Sequence, residues 1–469
     1  MNRALRLVPT TDYLDDNATE VMDKLPWYAL DDDLEIDLPE RLAPPPPAPR
    51  RLKPVAAEPT ALTLPPPLAW HRRMWKGTTL MHFRRLAALA LIANAMIAVF
   101  AAPASLHGLA DLVLGNFAIA ILIRQHYVIN ALFWLATRAP TSWPLAIRAT
   151  LAKVYHFGGI HVGCAIAATC WYVRFAVAIF AADADPAVDA IVGAQLVIVF
   201  AICAISMPSI RARYHNTFEV VKRFGGWASL ALLWAQTFAL GGEHVWLLAV
   251  VTFSVALPWL RLRKVRVDLT VPSSHVALAR FDYGVTPFAG SSTAISRSPL
   301  REWHSFANVP SPGVTGFRLT ISRAGDWTGR LIDDRPSHVW VKGIPTAGVA
   351  NIETLFTKVV YIATGSGIGP CLPHLLACKV PARLVWATRD ARATYGDALV
   401  DEILAKHPDA LIWDTHKRGK PDMVTLAYQA AVAFGAEAVI CISNKKLTWQ
   451  VVYGMESRGI PAYGAIWDS

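Results

Sequence analysis

The sequence is short of charge. Only 17% of its 469 residues are Asp, Glu, Lys or Arg, against 54% hydrophobic residues, and the two kinds are strongly zoned along the chain. It also lacks paired cysteines. The six, Cys164, Cys170, Cys203, Cys371, Cys378 and Cys441, form no CxxC and no zinc spacing. That argues against a structural zinc or a disulfide scaffold and fits a reduced compartment for the C-terminal part. A basic start followed by an apolar core is missing too. Residues 1–40 are acidic and polar ("DYLDDNATEVMDK", "LDDDLEIDLPE"), so no cleavable signal peptide is expected. Proline, in contrast, is abundant in "LAPPPPAPRRLKPVAAEPTALTLPPPL", residues 42–68. This blocks helix and sheet, so residues 1–76 are predicted to be a disordered cytoplasmic arm, either a solvated linker or a ligand for a proline-reading domain.

Six apolar runs follow, roughly 84–103, 109–123 extending into 131–137, 154–182, 189–207, 224–241 and 245–260. Several approach the ~20 residues a bilayer crossing needs. Basic connections (Arg72, Arg73, Lys76, Arg84 and Arg85; Arg124, Arg138, Arg148 and Lys153; Arg211, Arg213, Lys222 and Arg223; Arg261, Arg263, Lys264 and Arg266) alternate with "APASLHG", "ADADPAVD" and "GGEH", which have no Lys or Arg. By the positive-inside rule, residues 77–264 read as a six-helix transmembrane bundle with both termini cytoplasmic and the lipid bilayer as partner. The same rule accounts for the net charge of +10 without nucleic acid. Arg124 is costly in hydrocarbon, so "RQHYVINALFWLATR" is predicted to lie along the inner surface.

Beyond Val265, short β-rich runs ("KVRVDLTV", "HVALARFDY", "GFRLTISR", "RLIDD", "HVWVKGI") predict a small antiparallel barrel over 265–352. Over 353–469, apolar strands alternate with helical segments, which predicts a doubly wound α/β domain with a parallel sheet. Such sheets bind ligands at the carboxyl ends of their strands. "TGSGIGP", residues 364–370, stands at one such end. Gly365, Gly367 and Gly369, with Pro370 opening the helix, let backbone approach a pyrophosphate, and the helix N-terminus supplies amide donors. Arg389 and Arg392 follow the second strand, where a cation favours the 2′-phosphate of NADPH; Lys420 either reaches a phosphate or is solvated.

Four motifs in order make the tail resemble the ferredoxin–NADP reductase superfamily, in its NADPH oxidase and ferric reductase branch. "WHSFA" (303–307) resembles the His-Pro-Phe-Thr flavin motif, which implicates His304, Ser305 and Phe306. "AGDWTGRL" (324–331) resembles the Gly-Asp-Trp/Phe-Thr motif, which implicates Gly325, Trp327 and Thr328 in holding FAD. "VKGIPTAG" (341–348) resembles the junction between domains, with Gly343, and "GKPD" (419–422) resembles Gly-Arg-Pro with Lys420 for arginine. The resemblance implies FAD and NADPH as cofactors, Cys441 beside the nicotinamide and Trp467 covering the flavin. Ala307 departs from the usual Thr or Ser, and Ile442 from the glycine that follows the family's cysteine.

In that family the third and fifth crossings each carry two haem-binding histidines about 13–14 residues apart, roughly 20 Å along a helix. Here His156 opens the third run, but Thr169 and Cys170 stand where its partner belongs; Lys222, then Ala235 and Gln236, stand in the fifth, and His215 is misplaced. Haem is not expected and no metal site is assigned, although His126 pairing with His156 or His161 is left open. A haem-poor bundle with this tail resembles the fungal integral membrane protein TmpA type. The expected function is a plasma-membrane flavoprotein passing hydride from NADPH to FAD and then electrons, without the usual two-haem chain, to a small-molecule or metal-chelate acceptor. The alternatives are a ferric reductase or superoxide producer with unusual haem ligation, and a nucleotide sensor without turnover. A homodimer is left open.

Overall fold

The computed structural model describes residues 62–464, except 78, 102, 104, 183–184 and 311–314. Most of the proline-rich arm therefore lies outside the described residues, as does Trp467. Its described end, residues 62–69, is extended and lies on the C-terminal domain. Leu68 N donates to Ser457 O at 2.8 Å, Arg458 Nε to Pro65 O at 2.7 Å, and Gln429 Nε2 to Leu62 O at 2.9 Å.

The apolar runs form helices. These are α1 (Trp70–Met74), α2 (His82–Phe100), α3 (Leu106–Leu122), α4 (His126–Thr137), α5 (Leu145–Leu151), α6 (Gly158–Ala181), α7 (Pro186–Ile205), α8 (Pro208–Arg213), α9 (His215–Ala239) and α10 (Val245–Leu260). The expected six-helix bundle is corrected. Among the described residues, only three helical stretches are long and apolar enough to cross a membrane: His82–Phe100, Leu145–Ala181 and Pro186–Ile205. The pair α3 and α4 would make a fourth, but it is bent by 70°. The physical reasons are local. α9 carries Glu219, Lys222 and Arg223, and α10 has only 16 residues.

The stretch 124–138 turns away from α3 at a 70° bend and packs against protein. α4, α5 and the 3₁₀ turn Ala152–Phe157 pack on the C-terminal domain, with Phe133 and Ala152 in one core with Val359, Tyr361 and Leu372. Asn130 clamps the same face, donating to Pro345 O (3.0 Å) and accepting from Ala347 N (2.9 Å). Arg148, 4% exposed, reaches Glu437 through two hydrogen bonds of 2.8 and 3.0 Å.

The second region pairs β1 (Leu262–Ser273), β2 (Val276–Phe281), β3 (Ser291–Ser296), β4 (His304–Ala307), β5 (Val309–Pro310), β6 (Phe317–Ser322), β7 (His338–Lys342) and β8 (Thr346–Ala347). The path is β4-β3-β7-β1-β2-β6-β5, with β8 on β3. Its end strands β4 and β5 are separated in sequence by Asn308 alone, so the sheet curls until its two edges meet. "RLIDD", predicted as a strand, belongs to the helix α11 (Asp326–Asp334). Trp327, Leu331 and Ile332 bury one helical face there, and that 3.6-residue spacing overrides the short β-like run.

The third region has five parallel strands: β9 (Val359–Thr364), β10 (Ala382–Thr388), β11 (Leu411–Asp414), β12 (Ala438–Ile442) and β13 (Ala462–Tyr463). They are joined by α12 (Ile368–Ala377), α13 (Ala391–Tyr395), α14 (Asp397–Lys406), α15 (Thr415–Arg418), α16 (Met423–Phe434) and α17 (Lys445–Glu456). The order β11-β10-β9-β12-β13 reverses direction between β9 and β12. Helices on both faces bury β9 and β12 almost completely, which explains their unbroken apolar sequences.

Candidate functional site

The crevice outside the carboxyl ends of β9 and β12 is the topological switch point of this sheet. β9 delivers Thr364 and the turn Gly365–Gly367 into it, and β12 delivers Ser443. Gly365 has φ +47°, with open space where a side chain would project, and Ser366 is exposed. Gly367 lies so close to β12 that an added Cβ would stand 2.0 Å from Ile442 O. The Trp386 indole N–H donates to Gly365 O at 3.0 Å and holds the turn from β10. Gly369 faces Thr320 O of barrel strand β6, so the barrel forms a second wall. Pro370 lies in the first turn of α12. The Thr364 and Ser443 hydroxyls bond to each other across the crevice. Sequence reasoning missed that pair; its signal was the placement of each residue at the end of a buried strand.

The cations read from the sequence separate into two groups. Arg392 is held by Asp397 (2.9 Å) and Asp401 (2.6 Å) and is committed to the packing of α13 on α14, which corrects its assignment to the 2′-phosphate. Arg389, after β10, and Lys420, after α15, are exposed near the same edge of the sheet. Lys417 and Arg418 join them from α15, Arg418 lying over the Trp413 ring at 4.4 Å. This edge and the glycine turn suit an anionic dinucleotide.

Cys441 is corrected as a nicotinamide neighbour. It lies wholly inside the sheet, and burial pushes its thiol up to about 12. Ile442 is likewise buried. Gly343 closes the join of α10 to the barrel, its N–H donating to Arg261 O at 3.2 Å.

The residues read as flavin-binding are brought together, largely on one another. His304 stacks on Trp327 (ring centroids 4.1 Å, interplanar 23°), Phe306 lies 6.3 Å from the same ring, and the Trp327 indole donates to Glu302 at 2.7 Å. Trp327 belongs to the barrel core. The Thr328 hydroxyl accepts from Ala324 N (2.9 Å) and Gly325 N (3.1 Å), so it caps α11. What remains open to a phosphate there is the space at Gly325, before the N-terminus of the nine-residue α11, with Ser305 exposed on β4 and Ala307 half-buried.

The histidines considered for haem do not converge. His156 neighbours His82 (ring centroids 5.8 Å), whereas His161 Nδ1 meets Ala120 O at 2.7 Å. Among the described residues no group of three or more His, Cys, Asp or Glu is arranged for a metal.

Residues 349–469 match a family model described as adenylate-forming reductase 03009, C-terminal domain. Two relatives from Coprinopsis cinerea, adenylate-forming reductases 03009 and 06235, are 43% and 42% identical over 411 residues, covering 82% of this chain. The chain spans about 40% of the length of these curated relatives. Among solved structures, a flavohemoglobin from Malassezia yamatoensis with bound FAD and heme is 14% identical with a TM-score of 0.40, covering 79% of this chain and 97% of its own. A ferredoxin–NADP+ reductase from Neisseria gonorrhoeae with bound FAD and NADP is 10% identical with a TM-score of 0.34, covering 44% of this chain and 98% of its own. Similarity this distant transfers neither a ligand nor an activity.

These matches overturn the resemblance to the ferric reductase and NADPH oxidase branch and to the TmpA type, because across most of the chain the similar proteins are adenylate-forming reductases. The membrane-bound flavin oxidoreductase, its alternatives and the plasma-membrane location with cytoplasmic termini are withdrawn with it. The relatives are named reductases, and this chain matches about 40% of their length.

Proposed function

We propose that this chain is the nucleotide-binding reductase portion of an adenylate-forming reductase and holds NADPH in the crevice between β9 and β12. The observation that carries the reading is the glycine turn Gly365–Gly367 at the switch point, leading into the N-terminus of the ten-residue α12. NADPH, when bound, supplies a hydride. The backbone amides of the turn and of the start of α12 receive the pyrophosphate. Gly365 leaves room for it, and the Thr364 and Ser443 hydroxyls offer neutral hydrogen bonds at the crevice mouth. Arg389 and Lys420, supported by Lys417 and Arg418, attract the 2′-phosphate that NADH lacks. Strand β6 shields one side of the crevice from water. The acceptor is a small molecule, and the relatives' name directs attention to an activated carboxyl group.

A finer reading adds FAD on the barrel. It is supported by the open space at Gly325 before α11 and the exposed Ser305. On this reading Thr328 acts through the shape of the cap rather than as a direct ligand.

The test is a titration of the full chain with NADPH and NADH, followed by quenching of tryptophan fluorescence. NADPH should bind at least ~10-fold more tightly, about 1.4 kcal/mol, and the Arg389→Ala, Lys420→Ala double variant should lose the preference. Absence of binding by either dinucleotide overturns the reading. The absorbance spectrum of the purified chain decides the flavin separately.

A further inference from the structure

We propose that the seam between the N-terminal helices and the nucleotide domain holds a small anion, in a pocket walled by Lys76, His82, Arg85, Lys153, His156 and Glu456. Four separate segments build it. Lys76 follows α1, and His82 and Arg85 stand in the first turn of α2. Lys153 and His156 come from the 3₁₀ turn, and Glu456 ends α17. The interior measures about 20 Å³, room for one atom of water size.

The charges in the pocket do not cancel. Lys153 Nζ lies 2.8 Å and Lys76 Nζ 3.8 Å from the same oxygen of Glu456, so the carboxylate is already shared by two cations. Arg85 has no carboxylate in this pocket and lies over the Trp75 ring at 5.9 Å. Its Nε is buried without a hydrogen-bond partner among the described residues, and so is Nδ1 of His156, a residue only 5% exposed. Burial pushes His82 down to about 4 and His156 to about 3, so both imidazoles are neutral at pH 7 and each carries one N–H. Excess positive charge and unmatched donors around an enclosed space are unfavourable unless something negative fills it. A metal ion has the wrong sign. A halide fits the interior whole, and a phosphate fits with one oxygen inside and the rest toward the half-exposed Lys76.

The site lies beside Ala462, at the end of the sheet remote from the nucleotide crevice, and does not depend on the nucleotide reading. It also gives His156 a role that needs no haem, as a neutral donor to an anion.

The test is thermal unfolding of the full chain at constant ionic strength, with gluconate, too large for the interior, exchanged first for bromide and then for inorganic phosphate. A saturable rise in Tm with bromide identifies a halide site, and one with phosphate an oxyanion site. Either rise should vanish in Arg85→Met. Because that variant could fail to fold, a crystal of the unaltered chain soaked in bromide provides an independent reading, with an anomalous peak expected within hydrogen-bond reach of Arg85 Nε and His156 Nδ1. Equal Tm in all three salts, an undiminished rise in Arg85→Met, or, where bromide raises Tm, a soaked crystal without a peak in the pocket overturns the proposal.

Discussion

At the scale of single residues, the strongest determinants are polar groups buried in the wrong place for a simple core and rescued by one partner. Arg148 is the clearest. The hydrogen bond from its guanidinium, ahead of those from Thr357, holds Glu437 down to about 2. A carboxyl lowered in this way stabilises the fold above its ordinary value of 4.5, and the contribution is lost as pH falls through about 2. Arg148→Met should cost about 3 kcal/mol, because it leaves a partly buried carboxylate without its cation. Urea denaturation checks this, and an unchanged midpoint would count against the ion pair. The histidines at the seam work the other way. His82 and His156 are depressed by burial, so between pH 6.5 and about 4 the unfolded chain takes up protons that the folded chain refuses. Stability should therefore fall as pH drops through that window, and in gluconate buffer His156→Gln should make the fall shallower. Identical pH profiles for the two proteins would refute the assignment.

At the scale of elements, the glycine turn between β9 and α12 separates two costs that the sequence writes identically. Gly365→Ala meets open space and incurs only left-handed strain, about 1–2 kcal/mol. Gly367→Ala drives its Cβ into Ile442 O of β12, so the turn itself must move. The expected outcome is a loss of NADPH affinity of at least ~10-fold (about 1.4 kcal/mol) in Gly367→Ala, with a smaller loss in Gly365→Ala, read by the same fluorescence titration. The reverse order would show that the turn is not shaped by β12. The strands around it were legible as continuous apolar runs, because a parallel sheet covered on both faces needs nothing else. α11 was not. Its "RLIDD" run is too short for periodicity to speak, and its helical face appears only with Trp327 included.

At the scale of the whole molecule, the apolar first half and the α/β domain share a core. Phe133 and Ala152 lie in the same cluster as Val359, Tyr361 and Leu372. Arg148 and Lys153 add polar links across the same seam, and Asn130 ties the first half to the barrel at β8. Elements that share a core lose it together, so calorimetry of the full chain should show the α4–α5 segment and the α/β domain unfolding in one transition. Hydrogen exchange showing α4 and α5 opening well before β9 would contradict this. Reading six crossings from hydropathy failed here, with three helical stretches among the described residues long and apolar enough to span. Hydropathy reports how apolar a run is, and apolar residues are demanded equally by lipid and by a protein face.

The sequence by itself determined what depends on neighbours along the chain: where strands alternate with helices and where the glycine turn stands. Tertiary structure alone decided what depends on partners distant in sequence. It placed Cys441 inside the sheet, tied Arg392 to Asp397 and Asp401, stacked His304 on Trp327, and folded α4 and α5 onto the α/β domain. A side chain's chemistry follows from its type, but its availability follows from what the rest of the chain brings within a few ångströms. For His156 that difference separates a haem ligand without its partner from a buried imidazole at a seam.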